Sequence, residues 1–257
     1  MMIIRRRFVA LAGVAALCAF AATRALAQGA PRSYAVVSEF ARVINITVSQ
    51  QTTGSHLDTN VNKYAPVAEG ALDKVALITA KKAIEKADPG AKVWLLSPAD
   101  ADFFDARAVY TAGTIVKIPD DLAAALKGRG SSHLIIFMRL RSPANLRTIN
   151  GSIGNGLLEG PGFYIDQLTS VKNVETLVNS VGFVAPYLYM RATLIDVPTG
   201  KVLETRRITE GEVEGASRAD QTGNIWNSMS PSEKVGQIRE LIEREIGKAV
   251  PPLLAAH

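Results

Sequence analysis

Cysteine is nearly missing from this chain: among 257 residues the only one is Cys18, inside an N-terminal export segment. The remainder can form no disulfide and offers neither a thiolate metal site nor a thiol nucleophile. Histidine is scarce too, and His56, His133 and His257 stand too far apart for a zinc-type ligand spacing. Ser55-His56 has no GxSxG elbow to support it, and His133 opens a strongly apolar run, so neither reads as catalytic. No uninterrupted apolar run reaches the roughly 18 residues of a membrane-spanning helix.

What is present begins with Arg5, Arg6 and Arg7, followed by an Ala/Leu/Val-rich run that ends in Ala25-Leu26-Ala27. Residues 1–28 read as a cleavable export signal, with a small-residue cleavage site and Arg24 interrupting the apolar run. Leu17 stands where a lipoprotein signal needs a small residue before its cysteine. A general secretory signal is the expected route, and Arg5-Arg6-Arg7-Phe8-Val9 leaves twin-arginine export as the alternative. The expected location is periplasmic or secreted, with no stable transmembrane anchor after cleavage. Four of the 29 basic residues leave with the signal, so residues 29–257 are close to neutral against 24 acidic residues. The high isoelectric point belongs to the signal, and nucleic-acid binding is not implied.

Residues 29–257 are expected to form a single α/β domain. Tyr187–Thr209 (YLYMRATLIDVPTGKVLETRRIT) reads as a strand, a Pro198/Gly200 turn and a return strand, with Leu188, Met190, Ala192 and Leu194 on one face. Tyr34–Ser38 and Arg42–Ser49 read as one long or bulged strand, and Gln51–Tyr64 as a polar loop. Pro66 opens a helix with Leu72, Val75, Ala76, Ala80, Ala83, Ile84 and Ala87 at helical spacing, stopped by Asp88-Pro89-Gly90. Lys92–Leu96 (KVWLL) reads as a central strand. Helices are expected from Ser97 to about Arg107 and from Pro119 to Gly128 or Gly130. Ser132–Arg141 (SHLIIFMRLR) reads as a strand buried on both faces. The glycine-rich stretch 142–182 reads as an insertion, with a short strand at Phe163–Asp166 and a helical turn or two over Val171–Val181. Ser230 and Glu233 form a capping box that starts a helix over about 231–250, ended by Pro251 and Pro252. The fold class is thus a mixed sheet with helices packed on it, a long hairpin in the C-terminal half and a terminal amphipathic helix.

Assembled in order, the pieces resemble the small α/β module shared by the TolB N-terminal domain, CsgG and LpoB. A helix leads into the buried strand SHLIIFMRLR, and MRATLIDVPTGKVLE turns back through Asp196-Val197-Pro198-Thr199-Gly200. The resemblance spans about Tyr34 to Thr209 and implies a periplasmic module that works through partners. The chain departs from it in lacking a lipidation signal and in carrying the 142–182 stretch.

Gly151-x-x-Gly154-x-Gly156 has the wrong order and context for a dinucleotide fingerprint and reads as a loop. Asp100, Asp102 and Asp105 lack the glycine and distal glutamate of a calcium loop and read as helix-start carboxylates. Glu210, Glu212 and Glu214 share one face of an extended segment and read as a solvated edge. Trp226 reads as a staple at the entrance of the last helix. No catalytic residue, metal ligand or cofactor site is assigned. Leu157, Leu158 and Phe163 are the expected partner-binding loop. The expected function is a non-enzymatic protein-interaction or envelope-assembly module with an envelope protein partner. A periplasmic hydrolase whose site is not visible in sequence and a small-ligand or glycan-binding module are the alternatives.

Overall fold

The structure, a computed structural model, describes residues 32–50, 60–68, 70–96, 110–148, 151–172, 179–215 and 225–255. The expected export signal, His56, the expected Ser97–Arg107 helix, the aspartates within it and His257 lie outside those residues.

The chain builds β1 (Ser33–Glu39), β2 (Val43–Val48), β3 (Val61–Pro66), α1 (Ala71–Ala87), β4 (Lys92–Leu96), α2 (Asp120–Gly128) and β5 (His133–Arg139). It continues with β6 (Arg141–Pro143), β7 (Leu146–Thr148), β8 (Gly151–Ile153), β9 (Leu157–Lys172) and β10 (Asn179–Asp196). β11 (Val202–Gly211), β12 (Glu214–Gly215), α3 (Ile225–Ser228) and α4 (Pro231–Leu254) complete it. The result is the expected mixed α/β architecture, a large sheet that does not close into a barrel. None of the described helices is long and apolar enough to cross a membrane.

β10 is the spine. Its C-terminal half, Met190–Asp196, pairs antiparallel with β5, and β5, β1 and β4 follow in parallel. Its N-terminal half pairs antiparallel with β9, β9 runs parallel to β2, and β2 pairs antiparallel with β3. Along the other edge of β10 lies β11, reached through the predicted turn. There Asp196 closes the turn, its carboxylate accepting from Thr199 N at 3.1 Å and from the Thr199 hydroxyl, while Gly200 takes the positive φ of 68°.

Leu188, Met190, Ala192 and Leu194 face the cluster capped by α1 and α4. Their opposite neighbours are buried as well. Tyr187 and Tyr189 lie under β7 and the chain leading into it, and the Arg191 guanidinium sits 4.6 Å from the Tyr110 ring centre. Ser230 and Glu233 form both halves of the capping box, Glu233 N to Ser230 Oγ at 3.2 Å and Ser230 N to Glu233 Oε2 at 2.7 Å. That cap contributes about 1 kcal/mol. Burying Ile238, Ile242, Ile246 and Val250 at about 1.5–3 kcal/mol each outweighs it, so packing holds α4 in place. Trp226 meets the Phe163 ring edge-on at 5.2 Å, in the predicted staple role.

Several expectations are corrected. β1 and β2 are separate strands, and Val61–Tyr64 belongs to edge strand β3, not a loop. Pro66 ends β3, and α1 begins at Ala71 after Gly70. β4 is an edge strand, with Trp94 40% exposed, because nothing pairs beyond it among the described residues. Residues 142–182 are mostly strand, and 171–172 and 179–181 are extended, not helical. α4 passes through Pro251 and Pro252 to Leu254. The carbonyls that lose donors belong to exposed Gly247 and Lys248, and buried Leu253 and Leu254 anchor the last turn.

Asp73, in the first turn of α1, fastens the end of β1 by accepting from Ser38 Oγ at 2.6 Å and Phe40 N at 3.3 Å. Burial raises its pKa above the usual 3.8, against the lowering effect of those hydrogen bonds. An acid that binds its proton more tightly when folded loses stability as pH rises through the window from 3.8 to the raised value. Asp73→Asn keeps an acceptor oxygen and removes that dependence. Urea titrations at several pH values should show the variant's stability rising relative to the parent as pH increases through that window, and levelling off above it.

Candidate ligand-binding cleft

The most structured polar feature among the described residues is an open cleft of about 150 Å³ where β2, β3, β9 and β10 lie side by side. Its geometry follows from register. Asn45 pairs with Tyr64 on β3 and with Gly162 on β9, and Gly162 pairs with Tyr187 on β10. Directly paired residues point to the same face, so Tyr64, Asn45, Gly162 and Tyr187 form one row across four strands. Gly162 is the gap in that row. A Cβ there would lie 2.5 Å from the Tyr187 ring and hydroxyl and 2.5 Å from Asn45 O. The missing side chain lets the Tyr187 ring cross β9 and reach β2.

At the end of that reach, Tyr187 Oη meets Thr47 Oγ1 at 3.2 Å, and Thr47 Oγ1 donates to Asn62 Oδ1 at 2.9 Å. Thr47 has one proton and spends it on Asn62, so Tyr187 is the donor to Thr47. Burial, the largest cause, lifts the Tyr187 phenol far above its usual range, which keeps it a neutral donor. Asn45 Nδ2 donates to the carbonyls of Glu159 and Pro161, the second at 3.4 Å, and ties β2 to β9 on either side of Gly160, whose φ is 64°. Those bonds leave Asn62 Nδ2 and Asn45 Oδ1 unspent among the described residues.

The rim is charged and aromatic. Arg141 is paired directly with Glu159 across β6 and β9, and Arg139 Nε lies 3.9 Å from Glu159 Oε1. Tyr64 stands opposite, 67% exposed. Leu157 and Val43 supply apolar wall.

The same face is tied down by two further tyrosines. Tyr164 Oη donates to Asn155 Oδ1 at 2.6 Å, and Tyr189 Oη accepts from Asn145 N at 2.8 Å. Both rings are buried, so their hydroxyls fix the segments that flank β7 and β8.

The expected loop of Leu157, Leu158 and Phe163 is strand β9. Leu158 and Phe163 are both 0% exposed and belong to different cores, on opposite faces of the sheet. They offer a partner no surface. Leu157 alone of the three is part-exposed, and it lines the cleft. His133 is structural, Nδ1 meeting Ser132 Oγ at 2.8 Å beside the Tyr34 ring. Gly154, with a φ of 112°, lies against Ala144 and Leu146, where an added Cβ would meet both. Glu210 pairs with Arg147 at 2.7 Å through a carboxylate oxygen shielded from solvent, and the exposed Glu212 with Arg244 at 3.7 Å, so of these two only Glu212 fits the expected solvated edge. The cleft residues Asn45, Thr47, Asn62, Tyr64 and Tyr187 were not singled out from sequence. Gly160 and Gly162 inside a strand were the available sign, because a strand glycine marks a bulge or a close approach.

No protein-family model matches the chain, and no curated protein matches it. Among solved structures it is similar over 87% of its length to PelC, a dodecamer from Paraburkholderia phytofirmans, with 12% identity, a TM-score of 0.31 and 87% of that chain covered. It is similar over 89% of its length to the DUF330 protein XCC0632 from Xanthomonas campestris, with 10% identity, a TM-score of 0.38 and 89% of that chain covered. Protein CT253 from Chlamydia trachomatis is matched over 89% of this chain and 100% of its own, with 11% identity and a TM-score of 0.34. Likeness at this level carries neither a family nor a function, and none of the three is described as TolB, CsgG or LpoB. What stands of that resemblance is the mixed α/β architecture.

Proposed function

We propose that this chain is an exported protein of the bacterial cell envelope that acts by binding and not by catalysis, with the β2–β3–β9 cleft as its binding surface. The N-terminal signal supports export. The observation that carries the binding reading is the Tyr187–Thr47–Asn62 relay, which holds unspent polar groups in fixed positions beside an exposed aromatic ring. Side chains locked by packing and hydrogen bonds lose little freedom when a ligand arrives, the main cost that weakens polar recognition. An envelope protein partner, the class expected from sequence, would meet Tyr64, Leu157 and the Arg139–Glu159 rim.

A photoreactive phenylalanine analogue at position 64, compared with one at exposed Ile78 on the opposite face, tests this in living cells. The expected result is a periplasmic protein that yields one reproducible adduct from position 64 and none from position 78. Equal labelling from both positions, or retention in the cytoplasm, overturns the proposal.

A further inference from the structure

We infer that the cleft is a subsite for one neutral pyranose ring of an envelope glycan, an inference that rests on the binding reading above. Size is the first argument. At about 150 Å³ and open on one side, the cleft is smaller than the roughly 300–1,000 Å³ that encloses a whole small ligand. It fits one unit of a longer chain passing over the surface.

Chemistry is the second argument. A sugar ring presents an apolar C–H face and a girdle of hydroxyls that each donate and accept. Tyr64 offers an exposed ring for the apolar face. Around it, Asn62 Nδ2 is a donor, Asn45 Oδ1 an acceptor and the Tyr64 hydroxyl both, and none of these is engaged among the described residues. The Glu159 carboxylate can accept from two neighbouring hydroxyls at once. Arg139 lies 3.9 Å from that carboxylate and Arg141 is paired opposite it on β6, so a carboxylated or phosphorylated ring would have to compete with Glu159 for these counter-charges, which a neutral ring does not. An extended peptide would add to the open edge of β3 and not enter the cleft, because β2 is already paired on both edges, with β3 and β9, and its ladder groups are occupied.

The test is calorimetric titration of the exported, processed protein with neutral oligosaccharides of glucose and of N-acetylglucosamine, alongside uronic-acid oligomers of equal length. The expected result is roughly millimolar or tighter binding of a neutral series, at least about tenfold weaker in Tyr64→Ala and in Glu159→Gln, and largely kept in Tyr64→Phe. Tyr64 is exposed, so its loss leaves the fold intact, and matching unfolding midpoints confirm this. Undiminished binding by Tyr64→Ala, preference for the uronates, or no binding of any saccharide overturns the inference. A position-64 adduct to a protein without saccharide binding would defeat the inference and leave the binding proposal standing. Absence of both would defeat the two together.

Discussion

Alanine at Gly162 should destabilise the protein by about 3 kcal/mol, a large fraction of a typical domain's stability. The backbone at this position is not the reason, since its φ is not in the left-handed region. The new methyl group would lie 2.5 Å from the Tyr187 ring and 2.5 Å from Asn45 O, and neither a buried ring nor a paired strand can yield cheaply. Expelling the Tyr187 ring would break its bond to Thr47 and vacate the floor of the cleft. The variant should therefore lose both stability and ligand binding, as read by the urea midpoint and by titration. Gly236→Ala is the control. Its Cβ meets nothing within 4 Å inside helix α4, and it should stabilise by about 0.5–1 kcal/mol.

Phe163→Ala should cost about 3–5 kcal/mol. The ring is fully buried beneath α4 and packs edge-on against Trp226, so truncation leaves a cavity and loosens the entrance to the helix. Leu157→Ser, six residues earlier on the same strand, should change stability little and act on binding alone, because its side chain lines the cleft instead of a core. Thermal unfolding of the two variants separates these roles. Similar melting temperatures for both would contradict the placement of Phe163.

Long periodic segments were legible in the sequence for plain physical reasons. Leu188, Met190, Ala192 and Leu194 alternate because one face of β10 meets helices, and Leu134–Met138 within SHLIIFMRLR is unbroken apolar because α1 covers one side of β5 and α2 the other. Ser230 and Glu233 announced α4 through local hydrogen bonding alone. The alternation on β10 still concealed something, since Tyr187, Tyr189 and Arg191, on the opposite face from Leu188 and Met190, are buried too. Their hydroxyl and guanidinium tips find partners in segments distant in sequence.

β9 was hidden by Gly160, Pro161 and Gly162, which ordinarily argue against a strand. Here Gly160 takes a positive φ of 64° and Gly162 makes room for a ring from the next strand, needs that arise only once β2, β9 and β10 are assembled. β3 carries Asn62, Lys63 and Tyr64 at a solvent-facing edge and therefore lacks the alternation that marks a half-buried strand. The cleft was illegible for the same reason. Asn45, Thr47, Asn62, Tyr64 and Tyr187 span well over a hundred positions and become neighbours through register, with no local motif.

Hydrogen exchange on the protein, with and without the partner captured at position 64, tests the central claim most directly. Binding in the cleft predicts new protection confined to 43–48, 61–66 and 157–162, with α1 and α4 unchanged. Protection over α1 and α4, or along the β4 edge, with the cleft strands unaltered, would contradict it.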